Sequence, residues 1–156
     1  MAVLLVKDVE IKIDDADLEL VSRYKWRKST NGRPITNVKI DGKKKTKLIH
    51  QVIVGDIFGM VIDHINGDFR DNRRSNLRHV TLQQNQWNKK CGKLSHTGIK
   101  GVGFCKQTKK WRVSMRIDGS YKTIGRYDCI GIAMKKYSEC AKKYHGEYAR
   151  VNIGVP

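Results

Sequence analysis

Val61-Ile62-Asp63-His64-Ile65-Asn66-Gly67-Asp68, followed after two residues by Asp71-Asn72-Arg73-Arg74-Ser75-Asn76-Leu77-Arg78 and then by Thr81-Leu82-Gln83-Gln84-Asn85, is the stretch whose reading decides the fold. From Gly55 to Asn76 the chain is rich in Gly, Asn and Asp, which favour turns, with one short apolar strand, Met60 to Ile62, inside it. Leu77 to Val80 reads as a second strand. Thr81 followed by Gln84 has the form of a capping box, so a helix is expected to begin there and run toward Trp87. The order is strand, long polar loop, strand, helix, and it gathers an acid, an imidazole and several amides.

Metal-assisted phosphodiester cleavage needs such groups. A hard cation such as Mg²⁺ takes oxygen ligands and keeps several waters, and Asp63 and Asn85 supply a carboxylate and an amide carbonyl. A neutral imidazole takes a proton from water at physiological pH, and His64 fits that role. The plainer reading is a loop whose Asx side chains cap turns. A calcium loop fails, because its third ligand position would fall on Ile65, which has no donor atom.

Upstream, Val9 to Ile13 alternates apolar and charged residues as a strand does. Asp14, Asp15 and Asp17 then open a short helix through Leu18, Val21 and Tyr24. Ile35 to Ile40 and Thr46 to Ile49 flank Asp41-Gly42, a pair suited to a tight hairpin turn. The cluster Lys43, Lys44, Lys45 and Lys47 thus lies on a hairpin, either as a lysine-blunted edge strand or as a phosphate contact.

Downstream, a polar basic stretch separates a nuclease-like module (1-90) from a second module (98-152), with 91-97 as linker. In the second module Trp111, Val113, Met115 and Ile117 alternate with Arg112, Ser114, Arg116 and Asp118. Asp118-Gly119 offers another hairpin turn, and Tyr121 to Tyr127 returns as a strand. After Asp128, a plausible helix cap, Ile130, Ala133, Tyr137, Cys140, Ala141 and Tyr144 recur at helical spacing until Gly146. The expected fold class is α+β: a strand-strand-helix nuclease module, then a three-stranded antiparallel sheet packed on one helix.

Charge limits the partner. The chain of 156 residues carries 32 Lys+Arg against 15 Asp+Glu, a formal net charge of +17, and both halves are basic. A polyanion is the expected partner. No apolar run approaches the roughly 18 residues of a membrane span, and no signal peptide is recognisable, so the expectation is no membrane contact and a cytoplasmic location. The four cysteines form no CxxC pair and read as free thiols, with Cys140 on the apolar face of the last helix.

The Asp63-His64 segment with Asn76-Leu77-Arg78 and Asn85 resembles the HNH endonucleases of phages and mobile introns, whose fold is a ββα-metal motif. The resemblance implies that Asp63 is a metal ligand, His64 the general base, Asn76 the loop residue that orients the histidine side, and Asn85 the second ligand from the helix. Many members carry His where Asn85 stands, so this chain matches the His-Asn-Asn variant common among phage homing enzymes. An amide oxygen there favours a hard ion, Mg²⁺ or Mn²⁺, over zinc. His50 matches a histidine that recurs upstream in the family, in either a structural hydrogen bond or a contact to the scissile phosphate. Arg70, Arg73, Arg74 and Arg78 surround the motif and are expected on the DNA backbone.

Thr97-Gly98-Ile99-Lys100-Gly101-Val102, Trp111 to Arg116, Thr123-Ile124-Gly125 and the ending from Ala141 to Asn152 resemble the APETALA2-type DNA-binding domain, also found fused to phage HNH nucleases. By that likeness the sheet enters the major groove, and Lys100, Arg112, Ser114, Arg116, Tyr121 and Thr123 are the expected contacts. Gly103 and Cys105 stand where long cations would be expected, so sequence preference does not carry over. The implied function is a metal-dependent endonuclease, site-selective and of homing type, acting on double-stranded DNA as a monomer or homodimer in a phage-infected host cell. The alternatives are a noncatalytic DNA-binding regulator on the same scaffold and a basic RNA-binding protein, the latter disfavoured by the few aromatics on the predicted DNA face.

Overall fold

Apolar residues at every second position make a hairpin of the N-terminus: β1 (Ala2–Val6) pairs antiparallel with β2 (Val9–Ile13), turning through Lys7 at φ 57. Sequence reading found β2 and took Val3 to Val6 only as a short apolar run. A 3-10 turn at Asp15–Asp17 leads into α1 (Leu18–Ser22), which ends before Tyr24. Strands β3 (Arg27–Lys28), β4 (Pro34–Ile40) and β5 (Lys43–Leu48) form an antiparallel sheet in that order, with Asp41 and Gly42 at φ 51 and 72 in the tight turn expected for the pair. Ile49 does not extend β5. It opens α2 (Ile49–Val54), where the Gln51 side chain reaches back to accept from the Leu48 N–H.

The expected strand-strand-helix follows as β6 (Val61–His64), β7 (Leu77–Val80) and α3 (Leu82–Asn88). The first strand starts one residue later than predicted and runs two further, so Asp63 and His64 lie on it and not in the loop beyond. Val6, Ile11, Ile13, Val21, Ile49, Ile53 and Leu77 close one core from β1, β2, α1, α2 and β7.

The C-terminal sheet is β8 (Val102–Cys105), β9 (Lys110–Ile117) and β10 (Ser120–Tyr127), antiparallel with β9 central, and α4 (Ile130–His145) packs on it. The alternation read from sequence holds: Val113, Met115 and Ile117 are buried with Ala133, Tyr137 and Ala141, while Arg112 and Arg116 are exposed. Asp128 does not cap α4; the cap position is Cys129, with no side-chain hydrogen bond. Gly101, at φ +70, has no room for a side chain, since a Cβ would stand 2.1 Å from the Tyr137 ring.

This computed structural model describes residues 1–92 and 95–152 and divides the chain into two compact units, 1–83 and 84–156. The division falls within α3, earlier than the linker expected at 91-97, of which 93–94 lie outside the described residues. The architecture is mixed α+β, and among the described residues no helix is long and apolar enough to cross a membrane. The four cysteines are free, and Cys140 is half-buried against the second core.

Candidate active site

The register of β6 against β7 sets Asp63 opposite Arg78 and His64 opposite Leu77. Asp63 and His64 are both buried. Neighbours on a strand point to opposite faces, so each is covered from a different side. Asp63 Oδ2 accepts from Arg78 Nε at 3.1 Å and Nη2 at 3.0 Å, two charge-assisted hydrogen bonds that converge on one carboxylate oxygen.

His64 Nε2 stands 3.1 Å from Asn72 Oδ1. Asn72 is fully buried, and its Nδ2 donates to the Phe69 carbonyl at 2.9 Å, which identifies the other atom as the oxygen. An oxygen only accepts, so the proton sits on Nε2 and the lone pair on Nδ1. The N-terminal hairpin holds Asn72 in place: its N–H donates to the Lys12 carbonyl at 2.8 Å, and the Lys12 N–H donates to the Arg70 carbonyl at 2.8 Å.

Asn76, expected to orient the histidine side, acts on the loop. Its Oδ1 accepts from the Asn66 N–H, its Nδ2 donates to Asn66 Oδ1 and to the Asp71 carbonyl, and its carbonyl accepts from the Ile65 N–H. Asn72, which sequence reading passed over, hydrogen-bonds the imidazole. Its signal was the asparagine flanked by charged residues at Asp71-Asn72-Arg73, which a buried side chain would not ordinarily follow.

His50 from α2 meets His64 edge to face, with ring centroids 5.0 Å apart. It is buried, yet among the described residues it makes no side-chain hydrogen bond, so a structural hydrogen bond is not its role in this geometry. Burial first, then the neighbouring His64 and Arg33, push its pKa down to about 3. Burial likewise lowers His64, against the opposing pull of the Asn72 hydrogen bond. Both rings are neutral at neutral pH, the state a general base requires.

The basic side chains around the motif are engaged within the fold. Arg70 pairs with Asp68, Arg73 with buried Asp71, and Arg74 with buried Asp17 while also donating to the Ile53 carbonyl. Arg73 holds the Asp71 carboxyl below the usual carboxylate range. Arg78 is spent on Asp63. These contacts organise the loop, although the Arg70 and Arg74 side chains remain more than half exposed.

Among the described residues no three His, Cys, Asp or Glu side chains converge as a metal site. The buried Asp63 carboxylate suits a hard ion that keeps most of its waters, and among those residues no cysteine stands beside it to make a zinc centre of the thiolate kind. Asn85 lies half-buried on α3, in the second unit.

On the C-terminal sheet, register sets Tyr121 opposite Arg116, Thr123 opposite Ser114, and Arg126 opposite Arg112. These six share the face away from α4, and all but half-buried Ser114 are exposed. Sequence reading missed Arg126. Lys100 departs from expectation: its half-buried ammonium donates to the carbonyls of Gln86, Trp87 and Lys89, closing the end of α3, where a helix presents unpaired carbonyls. Burial and Arg150 push it down to about 8.

Residues 47–87 match the family model described as HNH endonuclease. Over 92 residues the chain is 29% identical to Protein 3.8 of Escherichia phage T7, covering 59% of this chain and 75% of that protein. Over 137 residues it is 28% identical to an uncharacterized HNH endonuclease of Acanthamoeba polyphaga mimivirus, covering 85% of this chain and 69% of that one. Among solved structures, that of the HNH homing endonuclease I-HmuI, titled for DNA binding and cleavage, covers 78% of this chain and 75% of its own at 21% identity. The TM-score of that likeness is 0.37. The matched segment spans α2, β6, the Asn72 loop, β7 and most of α3, and over residues 47–87 the chain is similar to the HNH endonucleases.

Proposed function

We propose that this protein is a metal-dependent endonuclease that hydrolyses phosphodiester bonds in duplex DNA, site-selectively and in the manner of homing enzymes. The observation that carries the reading is the buried Asp63-His64 pair with the His64 Nε2 proton held by Asn72. That tautomer turns Nδ1 into the atom that takes a proton from the attacking water. His64 stays neutral because it is buried, and Asn72 keeps the ring from rotating. Asp63, held by Arg78 through Oδ2, and Asn85, from the family likeness, would hold Mg²⁺ or Mn²⁺. When bound, that ion offsets the charge developing on the leaving oxygen. His50, packed on the His64 edge, is assigned to the scissile phosphate side, and Asn76 to the loop that shapes the site.

The C-terminal unit is assigned to duplex binding through Arg112, Ser114, Arg116, Tyr121 and Thr123, in the manner of an APETALA2-type domain. Their shared exposed face supports this reading. Lys100 is withdrawn from that set, and Arg73, Arg74 and Arg78 from direct backbone contact, because their charges are engaged within the fold.

The test is conversion of supercoiled plasmid by wild type, Asp63→Ala, His64→Ala and Asn72→Ala, with Mg²⁺, with Mn²⁺ and with chelator. Metal-dependent nicking is expected, abolished by the first two substitutions and slowed about 10²-fold by the third. Cleavage that survives both Asp63→Ala and His64→Ala would refute the site. Absence of cleavage by wild type would favour a noncatalytic DNA-binding regulator.

A further inference from the structure

The β3-β4-β5 sheet carries a feature that neither its fold nor the proposed cleavage site uses. Register sets Lys39 of β4 opposite Lys44 of β5, and one step along the same face Asn37 is opposite Thr46. All four are exposed. Exposed Arg27 of β3 reaches Asn37 Oδ1 at 3.5 Å, and Thr46 donates to the same oxygen at 3.0 Å. The other face of β4 is the covered one, with Thr36 buried and Val38 and Ile40 half-buried.

Like charges directly opposite on neighbouring strands stand about 5 Å apart at Cβ and destabilise the sheet. Two nearby cations are neutralised: Lys28 pairs with Asp8 at 2.7 Å, and Lys47 with Asp56 at 3.1 Å. Among the described residues, Arg27, Lys39 and Lys44 have no carboxylate partner. Protection of an edge accounts for lysines on β5, the outer strand, but not for Lys39, which lies on the central strand β4. A cost in fold stability concentrated on one exposed face is accounted for by a polyanion that offsets it on binding.

We propose that the face bearing Arg27, Lys39 and Lys44 binds the phosphate backbone of duplex DNA, giving the nuclease unit its own grip on the substrate. The inference rests on duplex DNA being the substrate. Asn37 and Thr46 lie between the cations as neutral hydrogen-bonding groups, the side-chain types that join Lys and Arg on phosphate oxygens. No base is read by such a face, so its contribution is equal on all sequences.

The test is fluorescence anisotropy of the full-length protein on a labelled duplex of arbitrary sequence, in chelator, across a series of KCl concentrations. Lys39→Gln/Lys44→Gln is expected to make the slope of log K against log[salt] shallower by about 1.8, the value for two lost phosphate contacts. Its thermal midpoint is expected to equal or exceed that of wild type, because the like-charge pair is gone. Lys142→Gln/Lys143→Gln, on exposed positions of α4, removes the same charge and is expected to leave the slope unchanged. An unchanged slope in the β4-β5 variant would overturn the proposal, as would an equal loss in the α4 variant or no duplex binding by wild type. Chelator keeps cleavage out of the assay, so the plasmid test judges the nuclease reading separately.

Discussion

His50 and His64 sit edge to face in the first unit, and burial lowers the pKa of both. An unfolded histidine takes up its proton near pH 6.5, whereas His50 in the fold resists it down to about 3. Between those values the unfolded chain binds more protons than the native one. The stability that His50 contributes is therefore fully present above about pH 6.5 and lost as pH falls toward 3, at about 1.4 kcal/mol per pH unit. Urea titrations at pH 7.5, 6.0 and 5.0 are expected to show that decline in wild type and a smaller one in His50→Gln; parallel declines would refute it. The histidine and acid at 63 and 64 were legible in sequence because their chemistry and spacing are local. Asn72 was not, because its hydrogen bond to His64 depends on the loop folding back between Lys12 and Phe69.

At the scale of elements, ion pairs join segments that are distant in sequence. Arg74 grips Asp17, 57 positions away, through Nε and Nη2, and its Nη2 also donates to the end of α2 at Ile53. Asp17 is only 3% exposed, so Arg74→Ala strands a buried carboxylate, an event that costs about 3–5 kcal/mol in fully buried pairs and less where one partner is partly exposed. A loss of about 2–3 kcal/mol in urea unfolding is expected, with duplex affinity at low salt nearly unchanged. A variant of wild-type stability that has lost affinity would restore Arg74 to the DNA backbone. Strands and helices themselves were largely readable, since alternation and capping residues are local signals. The exceptions share one cause: Ile49 suits a strand or a helix equally by type, and the Gln51 side chain closing the first turn decides for α2.

Over the whole molecule, the net charge of +17 makes the proposed binding to DNA a matter of counterion release. If the exposed cations of both units engage six to ten phosphates, duplex affinity is expected to fall about 10³–10⁵-fold between 50 and 200 mM salt. Binding isotherms at the two salts check this, and a change below tenfold would show that few of the cations touch DNA. Amino-acid sequence alone determined the α+β class, the strand-loop-strand-helix order around Asp63 and His64, and the C-terminal three-stranded sheet with its helix, and its charge set the expectation of a polyanionic partner. Each follows from periodicity, turn chemistry or composition, which a linear chain displays without folding. Tertiary structure alone decided which cations are spent inside the fold, as with Lys100 on the α3 carbonyls and Arg78 on Asp63, and which stand unneutralised, as with Lys39 facing Lys44. Charge is written in the sequence, but its partner is set by which backbone and carboxylate oxygens folding brings within a few ångströms.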